Sequence, residues 1–290
     1  MADTGASIEL TTLIAASARQ AVPLVLAAQG GVLSERSGVI NIALEGMMLA
    51  GAFAGVWFGQ ALGPLGGLAG ALAVGAALGG AHLLLTQRLR MDHIVSGVAL
   101  NLLALNLTTF LLRAFFNQAS PPRPARLEHG LPVGWFVVAA MALPVLIHLG
   151  LMRTTLGLRL RAVGESAERA RMAGLFPLRL RAVGVVSSGL LAAAAGAYLS
   201  MAQVGRFSDD MVSGRGFIAL AAVVCGRWTP LGAAAAAALF GLLDALQLLL
   251  QGSVRLPTEF VRMLPYAATI LAALLLRPRP PADLGREPPA

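Results

Sequence analysis

Long stretches of aliphatic and small residues, separated by short polar segments, recur through the chain. A helix needs about 20 residues to cross a hydrocarbon core of roughly 30 Å. Stretches of that order occur at 10–31, 39–60, 64–86, 94–113, 132–152, 182–204, 230–250 and 261–276. Each predicts a membrane-spanning helix. A shorter run at 216–226 is marginal for a full crossing and predicts a half-helix or a re-entrant segment. The runs are continuous rather than alternating, which excludes a β-barrel. A helix also satisfies its own backbone in lipid. The expected fold class is all-α: a polytopic membrane helix bundle of about 8–10 transmembrane segments. One transmembrane domain is expected over 1–276, followed by a disordered Arg/Pro-rich tail over 277–290.

Within the spans glycine and alanine are frequent, for example Gly66, Gly67, Gly70, Gly75, Gly79 and Gly80. Small residues let helix backbones approach closely where no hydrophobic force drives association. An internal echo predicts pseudo-symmetry. Ile42-Ala43-Leu44 precedes Pro64-Leu65-Gly66, and Ile218-Ala219-Leu220 precedes Pro230-Leu231-Gly232. Duplicated halves are common in transporters, with the substrate route between them.

Charge sharpens the reading. Only 12% of residues are charged against 57% hydrophobic, so most of the outer surface must face lipid. The net charge of +8 comes from arginines that sit mostly between the apolar runs, which is a topology signal rather than a nucleic-acid surface. Arg153, Arg159, Arg161, Arg169, Arg171, Arg179 and Arg181 crowd the 153–181 segment, which is therefore expected on the cytoplasmic side. Counting outward, the tail arginines Arg277 and Arg279 fall on that same side only if 216–226 completes a crossing. The opening residues lack a basic stretch, and no cleavable signal is expected there. The chain contains no lysine, which a phosphate-cradling Walker loop requires. Any nucleotide-driven step would need a separate subunit.

Polar residues inside spans are the candidates for function. Asn41, Glu45 and Met48 have the i, i+4, i+7 spacing of one helix face. Glu45 could face a water-filled route, or lie solvated near the span's end or paired with Arg36. Asp244, Gln247 and Gln251 repeat the pattern; Asp244 lies deep in its run, lining a route or acting as a structural carboxylate. Asn101 shares a face with Thr108 and suits an amide that glues helices together. His82, His93, His129 and His148 lack ligand spacing, so no metal or cofactor is expected, and no catalytic grouping emerges. Cys225 reads as a small buried hydrophobe. In the basic segment, Gly164 to Gly174 predicts a short helix. Ser166 is its N-cap and Glu168 sits in its first turn, with Glu165 and Ala170 beside them and Gly174 and Pro177 ending it.

Gly31-Val32-Leu33-Ser34-Glu35-Arg36-Ser37-Gly38-Val39-Ile40-Asn41-Ile42-Ala43-Leu44-Glu45-Gly46-Met47-Met48 closely resembles the signature region of bacterial nucleoside ABC-transporter permeases. These belong to the wider group that includes ribose and branched-chain amino-acid permeases. Val95 to Leu103, Gly214 to Val223 and Pro230 to Gln247 carry further similarity, and the resemblance runs from about Gln29 to Leu276. It implies a multi-pass subunit of the bacterial inner membrane with no enzymatic activity of its own. A second related permease, cytoplasmic ATPase subunits and an external substrate-binding protein, often a lipoprotein, are its implied partners. The Gly164–Gly174 segment corresponds to the place where the ATPase grips: Gly164, Glu165, Ser166, Glu168, Ala170 and Gly174. Asn41 to Glu45 corresponds to an interrupted helix near the route, where Asn41, Glu45, Asn101, Asp244 and Gln247 could meet a small polar cargo such as a nucleoside. The rival readings are a permease for ribose or branched-chain amino acids, and an ion-coupled carrier using Glu45 or Asp244 for protons.

Overall fold

The computed structural model describes residues 10–116, 133–250 and 280–286. Every regular element among them is a helix. In order these are α1 (Leu10–Arg36), α2 (Leu44–Leu83), α3 (His93–Phe116), α4 (Val133–Arg153), α5 (Thr155–Glu165), α6 (Ala167–Met172), α7 (Pro177–Ala197), α8 (Arg215–Cys225) and α9 (Pro230–Leu250). Helices α2 and α7 run on through wider turns to Arg88 and Gln203. Six of the described helices are long and apolar enough to cross a membrane. The span expected at 261–276, Gln251, His129, Arg277 and Arg279 lie outside the described residues.

Two expected spans fuse into α2, which folds back on itself. Gly63 has φ 78° and ψ −179°, outside the helical region, and Pro64 starts the return limb. Proline suits a helix start because its missing N–H would have no partner there. The limbs lie back to back: a methyl group added at Gly67 would sit 2.4 Å from the Gly55 carbonyl oxygen. α8 and α9 form a second, shorter hairpin in which Pro230 opens the returning helix. The expected echo is thus visible as two helix–Pro-Leu-Gly–helix units. Their first limbs are unequal, since α8 has only 11 residues.

Helix α7 is the most enclosed of the spanning helices and packs on both limbs of α2 and on α1. Small residues make that possible. A Cβ at Gly196 would lie 1.8 Å from the Met48 carbonyl oxygen, and one at Gly75 would lie 2.3 Å from that of Gly189. The glycine-rich composition is therefore used for close backbone approach.

Three expectations change. The second span does not begin at Val39: residues 37–43 are non-helical and α2 starts at Leu44. Asn41 therefore shares no helix face with Glu45 and Met48. The 153–181 segment is not a loop with one helix but two helices, α5 and α6, followed by the start of α7. Arg181 accordingly leaves the surface, buried in α7 with its Nη1 donating to Gln87 Oε1 at 2.6 Å. Lastly, 280–286 does not fit a disordered tail. Residues 282–285 form a turn tied to α5 by the Asp283 N–H, which donates to the Gly164 carbonyl, and to α6 by the Asp283 carboxylate, which accepts from the Ala167 N–H.

Candidate functional site

The non-helical linker at 37–43 lies inside the bundle, where each backbone polar group needs a partner. Side chains supply them. Ser34 Oγ donates to the Val39 carbonyl at 2.7 Å. The Ile40 N–H donates to His93 Nδ1 at 3.2 Å, and His82 Nε2 lies 2.9 Å from the Ile40 carbonyl. Asn41 is fully buried; its Oδ1 accepts from the Ala43 N–H and its Nδ2 donates to Ser188 Oγ at 2.8 Å. Ser188 lies close to the midpoint of the Pro177–Gln203 run, so the chain is interrupted deep within the bundle.

Asn101 from α3 completes the arrangement. Its Oδ1 accepts from the Gly46 N–H at 2.8 Å and its Nδ2 donates to the Ile42 carbonyl at 3.0 Å. One side chain thus caps the start of α2 and holds the linker that leads into it. The amide-glue reading of Asn101 matches this geometry.

Glu45, the second residue of α2, joins two helix starts. Its Oε1 accepts from the Gly214 N–H and its Oε2 from the Gly216 N–H, both at 2.7 Å. These N–H groups open α8, where Gly214 adopts φ 85° as the N-cap. Helix N-termini carry partial positive charge, and a carboxylate between two of them is favourably placed. Arg36 is not its partner: Arg36 Nε donates to the Trp228 carbonyl at 2.6 Å. The Trp228 indole N–H in turn donates to Glu35, and Gln29 Nε2 donates to the Pro230 carbonyl at 3.0 Å. The end of α1 therefore grips the α8–α9 turn, in which Arg227 and Trp228 both have positive φ. Consequently α2 leads from Glu45 toward one end of the bundle and α8 leads from it toward the other. Discontinuous helices whose starts meet within a bundle are a recurrent way to build a solute site.

Asp244 and Gln247 are half-buried on α9, three residues apart, and neither makes a side-chain hydrogen bond among the described residues. Arg215 acts electrostatically on both Glu45 and Asp244. Pattern reading missed Arg215, His82, His93 and Ser188. Arg215 lies in a quoted motif beside Gly214 and Gly216, but nothing local indicates where its charge is directed. A crevice of about 340 Å³ between the α2 limbs and α3 is walled by Phe53, Trp57, Leu107 and Phe115. Apart from Thr108, whose hydroxyl donates to the Ala104 carbonyl, its walls are apolar, so the Glu45 junction is the better candidate for a polar solute.

At the arginine-rich end, Thr154 and Ser166 cap α5 and α6, accepting from the Gly157 and Arg169 N–H groups at 3.1 and 3.3 Å. Ser166 and Glu168 thus occupy the expected positions, and Gly174 follows the helix with φ 79°. Gly164 and Glu165 belong to α5 instead. Ala167 and Ala170 pack inward on Val163 and Leu180. The outward face presents Glu168, Arg169 and Met172, with Phe176 beyond; Met172 and Phe176 are 75% and 64% exposed. Gly164 lies against α1, since a Cβ there would be 2.1 Å from the Arg36 carbonyl oxygen. Among the described residues no His/Cys/Asp/Glu group could hold a metal.

Residues 13–273 match the family described as branched-chain amino acid transport system / permease component. The nucleoside ABC transporter permease protein NupC of Lactococcus lactis is 36% identical over 87% of this chain and 88% of its own length. The guanosine ABC transporter permease protein NupQ of Bacillus subtilis is 37% identical over 91% of both. A glucose ABC transporter permease protein of Haloferax volcanii is similar at 29% over 72% of this chain and 62% of its own length. With a match that extends through all the spanning helices described above, the chain belongs to the family of permease components named for branched-chain amino acid transport.

Proposed function

We propose that the chain is a permease subunit of an ABC importer in a bacterial inner membrane, passing nucleosides inward by alternating access. The near-full-length similarity to nucleoside and guanosine permeases carries this reading. A separate ATPase would dock on the outward face of α6, a second permease would complete the channel, and an external binding protein would deliver cargo. The route would be the junction where α2 and α8 meet at Glu45, with Asn41, Asn101, Asp244 and Gln247 around it. Contacts favour a mechanical chain. Gly164 of α5 touches Arg36, Arg36 holds Trp228 at the end of α8, and the start of α8 is held by Glu45. Coupling carried by such contiguous contacts is testable. Cargo shifts the equilibrium between two states only by its differential affinity for them, so weak binding along the route suffices.

The test is uptake into proteoliposomes holding the complete transporter. Gly164→Pro with Glu165→Arg should abolish ATP-dependent uptake while leaving membrane insertion intact. Unchanged uptake rejects the coupling assignment. Unlabelled nucleosides should compete for uptake where ribose, glucose and leucine do not. Survival of uptake without any ATPase, with collapse under an uncoupler, would establish an ion-coupled carrier instead.

A further inference from the structure

The turn at 281–286 touches α6, the end of α5 and the linker, adding its own bonds where Gly164 already packs on Gly38. Asp283 Oδ2 accepts from the N–H of Ala167, the first residue of α6, at 2.7 Å. The Asp283 N–H donates to the Gly164 carbonyl near the end of α5 at 3.0 Å, and the Gly285 N–H donates to the Gly38 carbonyl in the linker at 3.1 Å. The Ala282 N–H reaches Glu165 Oε2 at 3.4 Å. Pro281 is buried, and Leu284 packs against the main core. Gly285, at φ 76°, lies so close to the linker that a Cβ there would be 2.7 Å from Ile40 Cδ1.

A charge argument points to the same residue. Arg181 is 1% exposed, and its Nε and Nη2 have no hydrogen-bond partner among the described residues. A buried guanidinium without a compensating charge is strongly destabilising. Asp283 acts on it electrostatically from the docked turn. Asp283 Oδ2 thus holds the first N–H of α6, while Oδ1 pairs with Arg286 at 3.3 Å and the carboxylate also acts on Arg181.

We propose that residues 281–286 are a strut of the coupling unit, with Asp283 as its positioning residue. Six residues of helix have little stability of their own, and α6 is otherwise fixed by Ala167 and Ala170 packing on Val163 and Leu180. The strut binds the α5–α6 junction to Gly38, three residues before Asn41. A push on α6 is then delivered to the linker that leads into α2 instead of being absorbed by rotation of α6 alone. This rests on the reading that α6 receives the ATPase.

The experiment uses the complete transporter in proteoliposomes, measuring ATP hydrolysed per tritiated guanosine imported. Four variants are compared: Asp283→Ala, Asp283→Asn, Gly285→Val and, on the outward face of α6, Met172→Glu. Asp283→Ala should raise the ATP-to-guanosine ratio about tenfold, within the usual span of coupling energies, with the ATPase still co-purifying. Asp283→Asn keeps an acceptor for the Ala167 N–H and should restore most of the coupling. Gly285→Val, which places a branched side chain at positive φ against Ile40, should reproduce the loss without touching Asp283. It also decides the matter if Asp283→Ala does not insert. Wild-type ratios in Asp283→Ala and Gly285→Val, beside an uncoupled Met172→Glu, overturn the strut and leave the α6 reading standing. If Met172→Glu is silent too, both fall. Failure of Asp283→Asn to rescue reduces Asp283 to charge balance for Arg181, and faster uptake in the loosened variants makes the turn a brake; either result overturns the proposal.

Discussion

Glu45 engages both carboxylate oxygens with the backbone N–H groups that open α8, and such charge-assisted bonds are stronger than neutral ones. Glu45→Gln replaces one acceptor by an NH₂ that faces an N–H of Gly214 or Gly216. A buried donor left unpaired costs about 1–3 kcal/mol. The expected outcome is a lower melting temperature in detergent and reduced ATP-dependent uptake, and an unchanged melting curve would count against the junction. The sequence marked Glu45 as an acid in an apolar context, but its partners are 169 and 171 positions away. No local pattern carries that information. Asn101 was more legible because an amide in a span has few roles besides bridging helices, although its partners at Ile42 and Gly46 emerge only in the fold.

The capped elbow shows how far local chemistry reaches. Ser166 followed by Glu168 signals a helix start, and both occupy those places. Ser166→Ala removes the acceptor for the Arg169 N–H and should destabilise α6 by about 1 kcal/mol. Circular dichroism would barely register so short a helix. The readout is therefore uptake, expected to fall severalfold with insertion unchanged, and full activity would show that packing alone holds α6. The linker at 37–43 illustrates the opposite case. Val39, Ile40 and Ile42 are as apolar as any span, so hydropathy extends the helix through them. What breaks it is a set of backbone partners, Ser34 from the adjoining turn of α1 and His82, His93 and Asn101 from other segments. At Arg181 the run of arginines predicts a place in the polar segment between spans. The helix start at Pro177 draws it inward, toward Gln87 and Asp283.

The bundle as assembled has two hairpins extending in opposite directions from Glu45, α7 threaded through the centre, and the elbow at one end. The side on which the elbow lies follows from the arginine bias, and it can be tested directly. Met172 is exposed at the tip, and Cys225, the only cysteine, is buried. In a Cys225→Ser background, Met172→Cys should react with a membrane-impermeant maleimide in inverted vesicles and not in intact cells. Labelling from outside would place the elbow on the wrong face for an ATPase and remove the basis for an importer driven from the cytoplasm.

The sequence alone determined that this is a helical membrane protein, where its apolar helices lie, that a capped basic elbow follows α4, and, through its quoted motifs, the kind of permease it resembles. Those are properties of composition, helix length and local capping, all of which act over a few neighbouring residues. Only the tertiary structure decided that the chain breaks at 37–43, that Glu45 joins two helix starts, that Arg181 is buried and that Asp283 returns to the elbow. Each of these depends on satisfying a backbone group or a charge with a partner far along the chain, and such a partner is specified by packing rather than by neighbours in sequence.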